Sequence, residues 1–129
     1  MSYYFSKTVD YDFDQAIDKI TEELKKEGFG ILTEIDVKET FKKKLDVDFR
    51  KYKILGACNP NMAYQAIQDE PRIGTMLPCN VIVQELENGK VEVSAVDPVA
   101  SMMAVKNDKL GEVAKDVRNK LQKVMENFQ

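Results

Sequence analysis

An α+β fold is predicted for this sequence: a two-layer sandwich in which amphipathic helices cover a mixed sheet of about five strands, in the order β-α-β-α-β-α-β-β-α. Three observations predict it. Apolar residues recur at helical spacing in two long stretches, one near each end of the chain. Short runs rich in Val, Ile, Tyr and Phe lie between them, bounded by Gly, Pro, Asn or Asp. Asn88-Gly89 separates two such runs, and Asn-Gly suits the left-handed backbone of a tight hairpin. The 129 residues fall in the size range of one domain, so residues 1–129 are read as a single unit.

In chain order, residues 3–9 are aromatic and β-branched enough for a first strand. Asp12 and Gln15 form a capping pair ahead of Phe13, Ala16, Ile17, Ile20 and Leu24, and Gly28 stands where a helix ends, which predicts a helix over about 12–27. Phe29 to Ile35 reads as a strand, and Asp36 with Glu39 opens a short helix carrying Phe41 and Leu45. Residues 50–58 form a strand that becomes more apolar toward Cys58. Asn59-Pro60 then supplies a cap and a first helical residue for a helix that stops before Pro71. The hairpin arms are 78–86 and 90–96, and Asp97-Pro98 closes the second arm as a turn. Leu110, Val113, Ala114, Val117, Leu121, Val124 and Phe128 mark a last helix over about 107–127. Each long helix has only one apolar face, so the first and last helices are expected to be the main cover of the sheet.

Composition excludes several kinds of chemistry. The chain has no His, which removes His-based triads, His general bases and His metal ligands within one chain. Gly28-Phe29-Gly30 is a fragment of a dinucleotide-binding motif at the wrong end of a helix, and no phosphate-binding Gly-x-x-x-x-Gly-Lys-Ser/Thr occurs. No apolar stretch approaches the ~20 residues that span a bilayer. The first residues lack the basic start and apolar run of a secretory signal, and two cysteines are too few for a secreted disulfide framework. The expectation is a cytoplasmic chain with reduced thiols, no cofactor, no metal and no membrane.

The net charge of −3 conceals an uneven distribution. Residues 1–37 hold four basic and nine acidic side chains, a net of −5, whereas 38–53 hold seven basic and three acidic, a net of +4. Phe41, Phe49 and Tyr52 interleave with that basic run, a pattern that can track a phosphate backbone. A solvated helix face and a lysine-blunted edge strand explain the same residues, and the acidic balance of the whole chain favours that explanation over nucleic acid.

The candidate site is a pair of repeated dipeptides, Cys58-Asn59 and Cys79-Asn80. Cys58 ends a strand just before a helix start, where free amides and the helix dipole can hold an anion and acidify a thiol. Cys79 starts the next strand. Antiparallel pairing of those strands would bring both thiols to one edge of the sheet, and Cys58, Asn59, Cys79, Asn80 and Asp97 are expected to share a concave patch. Against this stands the ordinary role of a free Cys as a small buried hydrophobe. A zinc site would need two further ligands, from carboxylates such as Asp97 or from a second subunit. A Cu(I) site would draw on Met62, Met102 or Met103.

The run Ile54-Leu-Gly-Ala-Cys-Asn-Pro60, with Ala63-Tyr-Gln-Ala66, Ile73-Gly74, Leu77-Pro-Cys-Asn-Val81 and Val96-Asp-Pro98, resembles the domain-of-unknown-function 302 family over essentially the whole chain. The resemblance implies a compact α+β fold and a homodimer, and supplies no reaction. The family's pattern includes both cysteines and the Asp-Pro, which match at Cys58, Cys79, Asp97 and Pro98. The leading expectation is therefore a homodimeric binding or structural domain with a small-ligand pocket at those residues. The rivals are a thiol-dependent redox enzyme using Cys58 with Cys79, and nucleic-acid binding through residues 38–53.

Overall fold

A computed structural model describes residues 2–129. Five strands, β1 (Tyr4–Val9), β2 (Gly30–Asp36), β3 (Tyr52–Cys58), β4 (Cys79–Glu85) and β5 (Val91–Val96), form one sheet in the order β1-β5-β4-β3-β2. The helices are α1 (Phe13–Lys26), α2 (Val37–Leu45), α3 (Pro60–Asp69), α4 (Pro98–Ser101) and α5 (Asp108–Asn127), with a 3-10 helix over Pro71–Met76. The α+β order is the expected one, with two short helical pieces added.

The sheet is not mixed. Every neighbouring pair is antiparallel, so that expectation is corrected. The reason lies in the connections. α2 leaves β2 and re-enters β3 at the same end of the sheet, and α3 does the same between β3 and β4, so each helical link acts as a long hairpin. Only α1 makes a true crossover, and it joins β1 to β2 at opposite edges with three strands between them.

Alternation along the strands defines two faces. Leu55 and Ala57, Val81 and Val83, and Val91, Val93 and Ala95 are buried against α1 and α5. α1 contributes Phe13, Ala16, Ile17, Ile20 and Leu24, the stripe read from the sequence, capped by Asp12 accepting from the Gln15 amide at 2.8 Å. α5 contributes Leu110, Val113, Val117, Leu121, Val124 and Met125, with Phe128 fully buried beyond its end. β1 and the turn after it pin that end: Lys7 Nζ donates to the Phe128 carbonyl at 2.7 Å, and the Tyr11 hydroxyl donates to the Gln129 carbonyl.

The opposite face carries only α2. Val37 and Phe41 meet Ile35, Tyr52 and Ile54 there, and Phe41, Phe49 and Tyr52 form an edge-on aromatic chain. Part of the basic segment 38–53 is partnered. Lys42 pairs with Asp46 at 2.9 Å, Lys43 with Glu39 at 2.6 Å, and Arg50 donates to Gln84 Oε1 while its guanidinium stacks 4.4 Å from the Phe49 ring. Its aromatic residues pack on one another where α2 meets the sheet.

Candidate functional site: an apolar cleft at the end of the sheet

The cleft forms where β3 ends and β4 begins. Asn59 stops the strand and caps α3, its Oδ1 accepting from the Met62 amide at 3.4 Å. Its Nδ2 donates to the Glu27 carbonyl at 3.4 Å, tying the start of α3 to the end of α1. Gly28 makes this possible twice over. Its φ of +87° suits glycine, and a Cβ there would lie 3.1 Å from Asn59 Nδ2. A second glycine, Gly56, shapes the rim from the other side: a Cβ would collide with the Thr33 hydroxyl and come within 2.8 Å of Pro78 Cγ.

Between α3, α5 and this rim lies an open cavity of about 260 Å³. Ala57, Cys58 and Cys79 come from the sheet, Met62, Ala63, Ala66 and Ile67 from α3, and Val113, Ala114 and Val117 from α5. Pro98 and Met102 close one end, and Leu32, 66 % exposed, stands at the mouth with Ile67. Among the described residues that line it, Asn59 is the one amide, hydroxyl or charged side chain, and both its polar atoms are engaged.

Cys58, Asn59 and Cys79 thus meet in one cleft. Strand alternation assigns the two Cβ atoms to opposite sides, because Cys79 pairs with Ala57 rather than with Cys58. Both residues nevertheless line the cleft, which forms around the strand ends. Asn80 does not. It follows Cys79 within β4, is turned to the opposite face, and lines a shallow hollow there with Tyr52, Ile82 and Gln84. Asp97 is also absent from the lining, although Pro98 beside it is present. Its carboxylate is buried and committed: Oδ1 accepts from the Val99 and Ala100 amides, and Oδ2 accepts from Arg118 Nε at 3.0 Å. The expected turn at Asp97-Pro98 is this capped start of α4.

Both cysteines are free thiols. The sequence suggested that the helix after Cys58 would acidify it. Burial instead pushes the Cys58 thiol up. Burial, and then the neighbouring Cys58, pushes Cys79 up to about 11. Both therefore stay neutral at physiological pH and behave as polarisable apolar groups. No group of three or more Cys, Asp or Glu side chains gathers into a metal-ligand set among the described residues.

The α5 wall was read in the sequence only as a core stripe. Helical periodicity cannot say that Val113, Ala114 and Val117 stop short of full contact. The four small residues Ala57, Ala63, Ala66 and Ala114 in one cavity were the available signal, and they are visible as such only once folded together.

The model of the family "Domain of unknown function DUF302" matches residues 5–128. The chain belongs to the DUF302 family. A crystal structure of an uncharacterized conserved DUF302 protein from Bacillus stearothermophilus is similar to it over 100% of both chains, with a TM-score of 0.91 and 27% identity. None of the curated proteins matches. DUF302 membership thus accounts for the fold and names no reaction, so the cleft itself must carry the functional argument. Among the described residues, no helix of this DUF302 chain is long and apolar enough to cross a membrane.

Proposed function

We propose that this chain is a non-catalytic binding domain of the cytoplasm, working as a homodimer, that takes a small apolar molecule into the cleft around Cys58, Asn59 and Cys79. The observation that carries the reading is an open cavity of about 260 Å³ whose wall is apolar and whose mouth keeps Leu32 and Ile67 in water. The cavity falls just below the roughly 300–1,000 Å³ of sites for drug-sized ligands, which suits a smaller occupant, and covering its apolar wall gains about 25 cal/mol per Å². A redox enzyme is disfavoured by the raised Cys58 thiol, since an attacking cysteine is normally an acidified one. Asn80 and Asp97 enter this proposal only as supports, Asp97 by holding α4 against α5 beside the cleft.

The homodimer has its own support. The sheet face away from α1 and α5 is uncovered apart from α2, and it presents Tyr4, Ile82 and Val96 with the half-exposed Ile35. A two-fold partner laid on that face would cover the same patch on both chains. Sedimentation equilibrium is expected to give a dimer that Ile82→Asp converts to a monomer; a monomeric wild type overturns this part.

The cleft is tested by titrating toluene and 1-octanol into uniformly ¹⁵N-labelled protein. Saturable shifts are expected at amides of α3 and α5, with none along β1. Ala66→Phe, or Ala63→Leu if the first variant fails to fold, is expected to abolish them. No saturation by either compound, or identical saturation in a folded cavity-filled variant, overturns the binding reading.

A further inference from the structure

We infer that the occupant of the cleft is an uncharged, flat aromatic ring system, recognised by sulfur; this rests on the cleft being a binding site. Three features point to it. First, nothing in the cavity can receive a charge: among the described residues no Lys, Arg, Asp or Glu lines it, and the nearby Asp97 is already saturated by Arg118 and two amides. A charged ligand would lose its hydration without a partner. Second, four sulfur-bearing residues line this one space, Cys58, Cys79, Met62 and Met102. Both thiols are held neutral there, so all four are soft, polarisable groups, and sulfur makes favourable contacts with aromatic rings that it does not make with alkyl chains. Third, the size is right for a fused ring pair. A buried apolar cavity of about 150 Å³ accepts benzene, so one of 260 Å³ has room for about ten ring atoms. The small side chains Ala63 and Ala66 on α3 face the sheet rim and α5 across that space, which gives the aromatic edge close approach.

The test compares four compounds of nearly equal size by calorimetry: 2-naphthol, 1-decanol, 2-naphthoate and protonated 2-naphthylmethylamine. 2-Naphthol is expected to bind about tenfold more tightly than 1-decanol, and both ions at least about a hundredfold more weakly than 2-naphthol. Met62→Leu combined with Met102→Leu conserves apolar volume and removes two sulfurs. That variant is expected to lose severalfold in affinity for 2-naphthol and to keep its affinity for 1-decanol. If 1-decanol binds as tightly as 2-naphthol, or if the double variant weakens both neutral probes alike, sulfur recognition of a ring is overturned while the apolar cleft stands; if either ion binds as tightly as 2-naphthol, the uncharged occupant is overturned. If neither neutral probe saturates, the cleft reading itself is overturned.

Discussion

Cys58-Asn59 and Cys79-Asn80 are the same two residues with opposite fates. The first pair leaves a strand and the second enters one. At the exit, alternation ends, so Asn59 is released from the sheet and becomes the cap of α3. At the entrance, alternation begins, so Asn80 is turned to the far face while Cys79 goes inward. The thiols differ in the same way: Cys58 is half-buried at the cleft, whereas Cys79 is buried at its back. What separates the two pairs is the strand boundary each one straddles, not their chemistry.

High pH separates them most. Cys79 is pushed up to about 11 from an ordinary value of 9.0. Below pH about 9 both folded and unfolded chains keep the proton, and stability is unaffected. Between about 9 and 11 the unfolded chain gives up its proton and the folded chain does not, so stability falls as pH rises; above that range it levels off. Two units at about 1.36 kcal/mol each make the loss on the order of 2–3 kcal/mol. Urea unfolding across this range should show the loss in the wild type, most of it in Cys58→Ala, and little of it in Cys79→Ala. Equal pH slopes for the two variants would mean that the buried and half-buried thiols are alike after all.

Gly56 sharpens the comparison from the rim between the pairs. It stands opposite Asn80 in the β3–β4 ladder and beneath Thr33 and Pro78. Gly56→Ala is expected to cost about 1–3 kcal/mol, because neither neighbour is the free end of a flexible chain. Gly30→Ala, where an added Cβ meets nothing, serves as the control. Comparable midpoints for the two variants in thermal melts would mean that the rim is looser than its geometry.

Much of this was legible in the sequence, for definite reasons. Asp12, Asp36 and Asn59 all cap helices, because a short side chain with an acceptor oxygen does this locally wherever the backbone turns in. The hairpin at Asn88-Gly89 followed from the positive φ that Gly89 adopts. Strand direction was only partly legible: the site expectation assumed antiparallel pairing of β3 and β4, but the sheet was expected to be mixed, and only the end to which α2 and α3 each return makes every neighbouring pair antiparallel. Asn80 was misplaced by one residue of strand phase, since the boundary between Pro78 and Cys79 decides which of Cys79 and Asn80 points inward. Asp97 sat near the right place for a different reason, with Arg118 arriving from twenty-one residues away to take the second carboxylate oxygen.

The two asparagines give the smallest effect and the most direct test of the boundary argument. Asn59→Ala removes the cap from α3 and the link to the Glu27 carbonyl, which should cost about 1 kcal/mol. Asn80→Ala removes an exposed side chain on the far face of β4, and surface changes of that kind are usually within about 0.5 kcal/mol. Asn59→Asp offers a finer control, because Asp caps as well as Asn but cannot donate to Glu27, so it should recover the cap and lose the tie to α1. Hydrogen exchange at the first turn of α3 should then rise in Asn59→Ala, return toward the wild type in Asn59→Asp, and stay unchanged in Asn80→Ala. If Asn80→Ala opened α3 as much as Asn59→Ala, the two pairs would be coupled through the rim, and the strand boundary would not be what sets them apart.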